Sequence, residues 1–387
     1  MAEDWQAGGF GLYIHWPFCQ AKCPYCDFNS HVAREVDQSR WCNAYLTEID
    51  RTAALLPGRV LNTVFFGGGT PSLMAPDTVA AILERVRRSW PVANDLEVTL
   101  EANPGSVEAG RFRAYAQAGV SRVSMGAQAL NDQDLRALGR LHTVRDTLQA
   151  IDIAKKTFDR ISFDLIYARQ NQTLMAWCEE LHFALGLATD HLSLYQLTIE
   201  TGTAFGERYA AGRLKGLPED DLAADMYQVT QEICAAAGLP AYEVSNHARP
   251  GAESRHNLIY WRYGDYVGIG PGAHGRITLN GQRWATEAWA MPERWLKGLS
   301  QGTTERRSEP LSGADQATEY VLMGLRIREG ISLARYEQLA GCPIEPGRIA
   351  ALQDLGMVRQ SGDLLAATEQ GRAVLNAVIR EILPDAP

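Results

Sequence analysis

Three cysteines within eight residues, Cys19-Gln-Ala-Lys-Cys23-Pro-Tyr-Cys26, are the strongest chemical feature of the chain. Their spacing puts three thiols on one loop, where they can converge on a single centre, and thiolates select zinc, Cu(I) or iron–sulfur clusters. Zinc asks for a fourth protein ligand; His15 and His31 are near in sequence, though neither has ribbon-like spacing. A [4Fe–4S] cluster on three thiolates leaves one iron without a protein ligand, open to a chelating amino acid. Further along stand Gly67-Gly-Gly-Thr70, Glu101, Gln128, Asp164 and the aromatic run His256-Asn-Leu-Ile-Tyr-Trp261.

Elements that could position these residues follow from periodicity. Short β-branched or aromatic runs at 11–15, 60–66, 96–101, 121–125, 160–166 and 191–196 alternate with helical patterns at about 39–56, 76–90, 107–118, 143–157 and 173–186. Six parallel strands with outer helices predict an α/β fold, an open or partial βα barrel, whose chemistry sits on loops after the strands' C-terminal ends. The cysteine loop, Gly67–Thr70 and Gln128 follow strands, Glu101 stands at the end of the third strand and Asp164 closes the fifth. A helix over 219–238, a strand over 240–244, the aromatic segment 256–266 and a glycine-rich turn at 268–275 complete a first domain, 1–300. A polar linker is expected over 301–310. Helices at 313–328, 333–340 and 346–355, strands at 357–360 and 364–367, and a last helix over 369–383 suggest a small winged-helix-like α+β domain, 301–387.

Composition narrows the class. With 46% apolar and 21% charged residues, the chain of 387 can bury a sizeable core. A net charge of −9 and no basic recognition helix argue against a nucleic-acid partner. The acidic start Met1-Ala-Glu-Asp-Trp5 has no apolar signal region and no run approaches a membrane span, so a cytoplasmic protein is expected. Seven cysteines in such a chain favour ligand or core roles over disulfides, and Cys42, Cys178, Cys234 and Cys342 read as buried small residues.

The C-x3-C-x2-C spacing resembles the radical-SAM superfamily. Tyr13-Ile-His-Trp-Pro-Phe-Cys19, Gly67-Gly-Gly-Thr-Pro71, Glu101-Ala-Asn-Pro104, Met125-Gly-Ala-Gln128, Gly139-Arg-Leu-His142 and Phe163-Asp-Leu-Ile166 are similar, in order, to segments of the oxygen-independent coproporphyrinogen oxidase (HemN-like) family. The resemblance implies a partial (β/α)6 radical-SAM barrel. It also implies a [4Fe–4S] cluster on Cys19, Cys23 and Cys26 whose open iron binds the amino and carboxylate groups of S-adenosyl-L-methionine (SAM). An electron from that cluster, supplied by a separate donor, cleaves SAM in the family. The resemblance assigns SAM contacts to Gly68, Gly69 and Thr70, to Glu101, Gln128, Arg140 and Asp164, to Tyr13 and Tyr25, and, by weaker alignment, to Thr198 and His274. A strand-end carboxylate suits ribose hydroxyls, and a guanidinium suits a carboxylate.

Two departures separate this chain from the family's decarboxylases. The fourth cysteine of those enzymes is replaced by Phe28, and the chain begins a few residues before its first strand, both of which argue against substrate decarboxylation. His256-Asn-Leu-Ile-Tyr-Trp261 resembles the signature of the HemW branch, the haem chaperones. That similarity implies haem bound by His256, Asn257, Tyr260 and Trp261, with an imidazole ligand and aromatic faces against the porphyrin. It also implies transfer to haem-requiring respiratory proteins, some at the membrane surface. His142 and His247 compete as ligands. Oxidative decarboxylation of coproporphyrinogen III in porphyrin biosynthesis is the alternative, and a zinc-stabilised barrel a third. Catalytic residues and oligomeric state do not follow from the sequence.

Overall fold

The computed structural model describes residues 3–188 and 190–383. Six βα units follow one another as the alternation predicts. β1 (Phe10–Trp16), β2 (Leu61–Gly68), β3 (Val92–Ala102), β4 (Arg122–Gln128), β5 (Arg160–Tyr167) and β6 (His191–Gln196) pair in that order, all parallel. Helices Gln38–Leu55, Pro76–Ser89, Ala109–Ala118, Val144–Lys155 and Leu174–Leu187 connect them.

Alternate residues of each strand divide between two environments, because successive side chains point to opposite faces. Leu12, Ile14, Val64, Phe66, Leu100, Val123, Phe163 and Leu192 join helix residues such as Tyr45, Ile82 and Trp177 in the main apolar core. Full burial of one such side chain is worth roughly 1.5–3 kcal/mol. With that drive on the outer face, the inner face can hold polar groups, provided they are hydrogen-bonded. There Arg122 donates to Ser162 Oγ at 2.9 Å, Ser124 and Ser162 share a bond of 2.8 Å, and Ser193 donates to Asn246 at 2.8 Å.

The large sheet extends beyond six strands. β7 (Asn246–Ala248) lies antiparallel on β6, while β8 (Asp265–Ile269) pairs parallel with β1 and carries β9 (His274–Leu279), β10 (Gln282–Ala288) and β11 (Glu305–Pro310) in antiparallel succession. Two sequence expectations change. Segment 240–244 is bent, with only Ala241 bridging His247, and the strand lies at β7. Segment 301–310 contains β11 rather than a linker, so the large sheet runs past position 300. Exposed charged side chains at 306–309 are those of an edge strand, which imitate a linker in sequence. The β9–β10 turn, Asn280-Gly281, has φ of 52° and 79°, the left-handed pair that a two-residue hairpin needs.

The C-terminal part packs helices Gly313–Gly324, Leu333–Ala340 and Pro346–Asp354 on a three-stranded sheet of Ile331–Ser332, Leu364–Ala367 and Val358–Ser361. The final helix breaks at Val374 into Glu369–Ala373 and Leu375–Ile382. Its core, including Tyr320, Val321, Leu352 and Leu365, takes in Tyr263 from the large domain. Arg276 pairs with Glu319 at 2.7 Å, and Arg335 reaches Asp4 at 2.7 Å. Among the described residues no helix is long and apolar enough to cross a membrane.

Candidate functional site

The cysteine loop leaves β1 and is pinned on several sides. The Gly139 backbone, at φ 69°, approaches Pro24 so closely that a Cβ would sit 2.6 Å from its Cδ. Thr203 caps the helix Ala204–Ala210, whose Phe205 N–H donates to the Pro24 carbonyl at 2.8 Å. Beyond Cys26, Asn29 Nδ2 donates to the carbonyls of Pro271 and Ala290, both at 2.9 Å, and so ties the loop to the glycine-rich turn. The sequence gives no direct sign of Asn29; only the close approach of Gly272, where a Cβ would meet its side chain, explains the turn's glycine.

Donors surround the sulfurs. Thr70 Oγ1 donates to Cys19 Sγ at 3.4 Å and Arg140 to Cys23 Sγ at 3.5 Å. Burial pushes the Cys19 and Cys26 thiols up, partly opposed by hydrogen bonds from Thr70 to Cys19 and from the Phe28 backbone to Cys26. Among the described residues no three His, Cys, Asp or Glu side chains converge on a single metal ion. Both ring nitrogens of His15 are engaged, by Tyr13 OH at 3.1 Å and the Asn29 carbonyl at 2.9 Å, and His31 Nε2 lies 3.2 Å from Asn29 Oδ1. With His15 and His31 engaged elsewhere, three thiols with backing hydrogen bonds suit a multi-iron cluster on thiolates.

The residues expected around SAM gather at the strand ends. Gly68, at φ 112°, passes His15 and the Trp16 carbonyl with no room for a Cβ, and Gly69 lies equally close to the Phe18 carbonyl and Cys19 Sγ. Gln128 ends β4 with φ 69°, and Arg140 Nη2 donates to the Gly126 carbonyl at 2.9 Å. Glu101 is pushed up to about 8, by burial and then by the charge of Asp164, despite a hydrogen bond from the Gly68 N–H. Burial also pushes Asp164 up to about 6, against hydrogen bonds from Ser193 and Ser124 and the nearby Arg122 and Arg140. Burial raises Tyr13 and Tyr25 as well.

Tyr25, Cys26, Phe28, Glu101, Gln128, Asp164 and Thr198 open into one cavity of about 1560 Å³ that reaches the C-terminal helices. A smaller space of about 280 Å³ on the far side of the loop is lined by Cys23, Thr70, Arg140 and His142. His274 is not with the others; it is exposed at the start of β9, near His15.

The aromatic signature folds as a helix, Arg255–Trp261, capped by Ser254. His256 is 1% exposed inside the barrel, with Nδ1 2.7 Å from Thr63 Oγ1 and Nε2 2.7 Å from Tyr260 OH. Its ring stacks on Phe65 at 5.0 Å, and burial lowers its pKa to about 3. His256, Asn257 and Tyr260 border a space of about 200 Å³ that shares Glu101, Asp164 and Tyr195 with the large cavity. Trp261 turns the other way, under Arg326 of the C-terminal domain at 5.6 Å. The expected haem quartet is thus split, and His256 holds no free ring nitrogen for iron. Of the competing imidazoles, His142 and His247 are both buried and lowered to about 4. Of the four cysteines expected to be buried, Cys234 is, Cys42 and Cys178 are half-buried, and Cys342 is exposed.

Comparison with known proteins agrees with this geometry. Residues 13–184 match the Radical SAM superfamily and residues 311–374 the HemN C-terminal domain. The chain is 39% identical to the mitochondrial radical S-adenosyl methionine domain-containing protein 1 of Bos taurus, over 96% of this chain and 87% of that protein. It is 37% identical to the heme chaperone HemW of Escherichia coli (strain K12), over 97% of this chain and 98% of the relative. The solved coproporphyrinogen III oxidase HemN of Escherichia coli, a radical SAM enzyme, shares the fold with a TM-score of 0.82 at 21% identity, over 98% of this chain and 93% of that one. By sequence over nearly its whole length and by fold, the chain belongs to the HemW-type branch of the HemN-like radical-SAM family.

Proposed function

We propose that this chain is a cytoplasmic haem chaperone that carries a SAM-bound [4Fe–4S] cluster, binds haem and hands it to haem-requiring respiratory proteins. The observation that carries the reading is the single cavity of about 1560 Å³ joining Cys26 and the SAM residues to the C-terminal domain. It exceeds the roughly 300–1,000 Å³ of an ordinary small-molecule site, leaving space for a second, larger ligand beside a cofactor. Relatives 34–37% identical over nearly their full length are named heme chaperone HemW.

In this reading Cys19, Cys23 and Cys26 hold the cluster, and Thr70 and Arg140 support its sulfurs. Gly68 and Gly69 present backbone to the SAM methionine end, and Glu101 and Asp164 accept from hydroxyls at the strand ends. The cluster, when bound, supplies an open iron and single electrons received from a reductase-type partner. Haem lies in the large cavity, outside the His256 lumen. Phe28, 59% exposed at the cavity edge where the decarboxylases carry a fourth cysteine, favours carriage over decarboxylation.

Anaerobic reconstitution followed by haem titration tests the reading. Brown, iron-loaded protein that binds SAM and takes up haem stoichiometrically is expected. Conversion of coproporphyrinogen III with SAM and a reductant would replace the carrier by the decarboxylase, and colourless protein with stoichiometric zinc would remove the cluster.

A further inference from the structure

The large cavity that Glu101 and Asp164 line is also lined from the C-terminal domain by Arg326, Arg328, Arg372 and Arg380. Two come from the segment after helix Gly313–Gly324, one from helix Glu369–Ala373 and one from helix Leu375–Ile382. Among the described residues none of the four makes a salt bridge, unlike many other arginines of the chain, such as Arg51, Arg169 and Arg276. Arg372 is 8% exposed; its Nη1 donates to the Arg326 carbonyl at 3.0 Å, and its Nη2 has no hydrogen-bond partner. Burial lowers the Arg372 pKa and Arg328 lowers it further, against the charge of Tyr227, a hydrogen bond with that phenol, and Glu243, so the guanidinium is only partly satisfied. Glu243 itself is engaged by the Ser245 N–H at 2.9 Å and by Asn246 Nδ2 at 2.5 Å. Asp220, Asp225 and Glu232 line the same cavity from helix Asp220–Ala236, but none forms an ion pair with the four guanidiniums.

A buried guanidinium with an unused donor is costly unless an anion meets it. Guanidinium forks match carboxylates in paired, charge-assisted bonds. The same cavity is lined by apolar side chains, among them Val374, Leu375 and Leu197, together with polar ones such as Gln228 and Ser245 and further carboxylates at Glu200 and Glu369. A ligand with carboxylates for the guanidiniums and apolar surface for Val374, Leu375 and Leu197 fits this lining. We propose that Arg326, Arg328, Arg372 and Arg380 form a carboxylate subsite that takes the propionates of haem, with the macrocycle extending toward the cluster. This rests on the haem-carrier reading and gives the C-terminal domain a part in it. Trp261, beneath Arg326, links the signature helix to the subsite.

The test compares iron protoporphyrin IX with its dimethyl ester, on the full chain with reconstituted cluster. Wild-type protein is expected to bind the free acid about tenfold or more tightly than the ester. In Arg328→Gln and Arg372→Gln that preference collapses, while ester affinity and SAM affinity stay at the wild-type level. Equal preference in wild type and both variants overturns the subsite. Wild-type protein that binds neither porphyrin overturns the carrier reading beneath it, a different result. A fall in SAM affinity alone would assign the arginines to the SAM carboxylate instead. Arg380→Gln, at an exposed position, carries the same comparison should Arg372→Gln fail to fold.

Discussion

Arg140 donates to the Cys23 sulfur across 3.5 Å, and its other arm holds the Gly126 carbonyl at 2.9 Å. One guanidinium thus connects the cysteine loop to the end of β4. Its Nε is buried without a partner, so the side chain keeps donor capacity in reserve. Arg140→Gln is expected to weaken SAM binding to reconstituted protein about tenfold, the scale of one charge-assisted hydrogen bond, with iron content retained. Anaerobic calorimetry with iron analysis checks this; reduced iron loading with normal SAM affinity per remaining cluster would restrict Arg140 to holding the loop.

Gly139 meets Pro24 with no room for a Cβ and in a left-handed conformation. Gly139→Ala should cost more than the ~1–2 kcal/mol of left-handed backbone alone and displace the cysteine loop. Gly341, also left-handed at φ 77° but with nothing within 4 Å, is the control. Iron per chain after reconstitution should fall in Gly139→Ala and hold in Gly341→Ala; equal iron in both would free the loop from Gly139.

Stability of the metal-free chain should pass through a maximum near pH 6. Glu101, raised to about 8 from an ordinary 4.5, binds more protons folded than unfolded. Its contribution is complete below the unfolded value and is lost as pH rises through about 8, at up to about 1.4 kcal/mol per pH unit. His256 and His15, lowered to about 3 and about 4 from 6.5, act in the opposite sense, and their contribution is lost as pH falls below 6.5. Glu101→Gln should flatten the alkaline limb of Tm against pH and leave the acid limb in place. An unchanged alkaline limb would mean that Glu101 ionises normally.

His256 tests the signature helix. With both ring nitrogens bonded and the ring buried, His256→Ala leaves Thr63 and Tyr260 unpartnered inside the barrel, at about 1–3 kcal/mol each. A drop in Tm of several degrees is expected, with haem affinity within about threefold of wild type. Loss of haem at unchanged Tm would make His256 the iron ligand and require the helix to leave the lumen.

Much of the site was legible in the sequence because its parts are local. Cys19, Cys23 and Cys26 share one short loop; Gly68 and Gln128 end strands, Gly69 follows one, Glu101 stands one residue before a strand end, and Asp164 lies within the C-terminal half of its strand. A parallel βα order then brings those ends to one rim. β11 was not legible, since an exposed edge strand reads like a linker, whereas the Asn280-Gly281 turn carries a hairpin signature in its own two residues.

The tertiary structure alone decided which residues meet across long sequence separations. It put His256 against Thr63 inside the barrel and sent Trp261 outward, because a seven-residue helix with 3.6 residues per turn cannot aim both at one ligand. It also carried Arg326, Arg328, Arg372 and Arg380 to the cavity that Glu101 and Asp164 line, a juxtaposition set by domain packing about Tyr263 and Glu319 that no local spacing encodes.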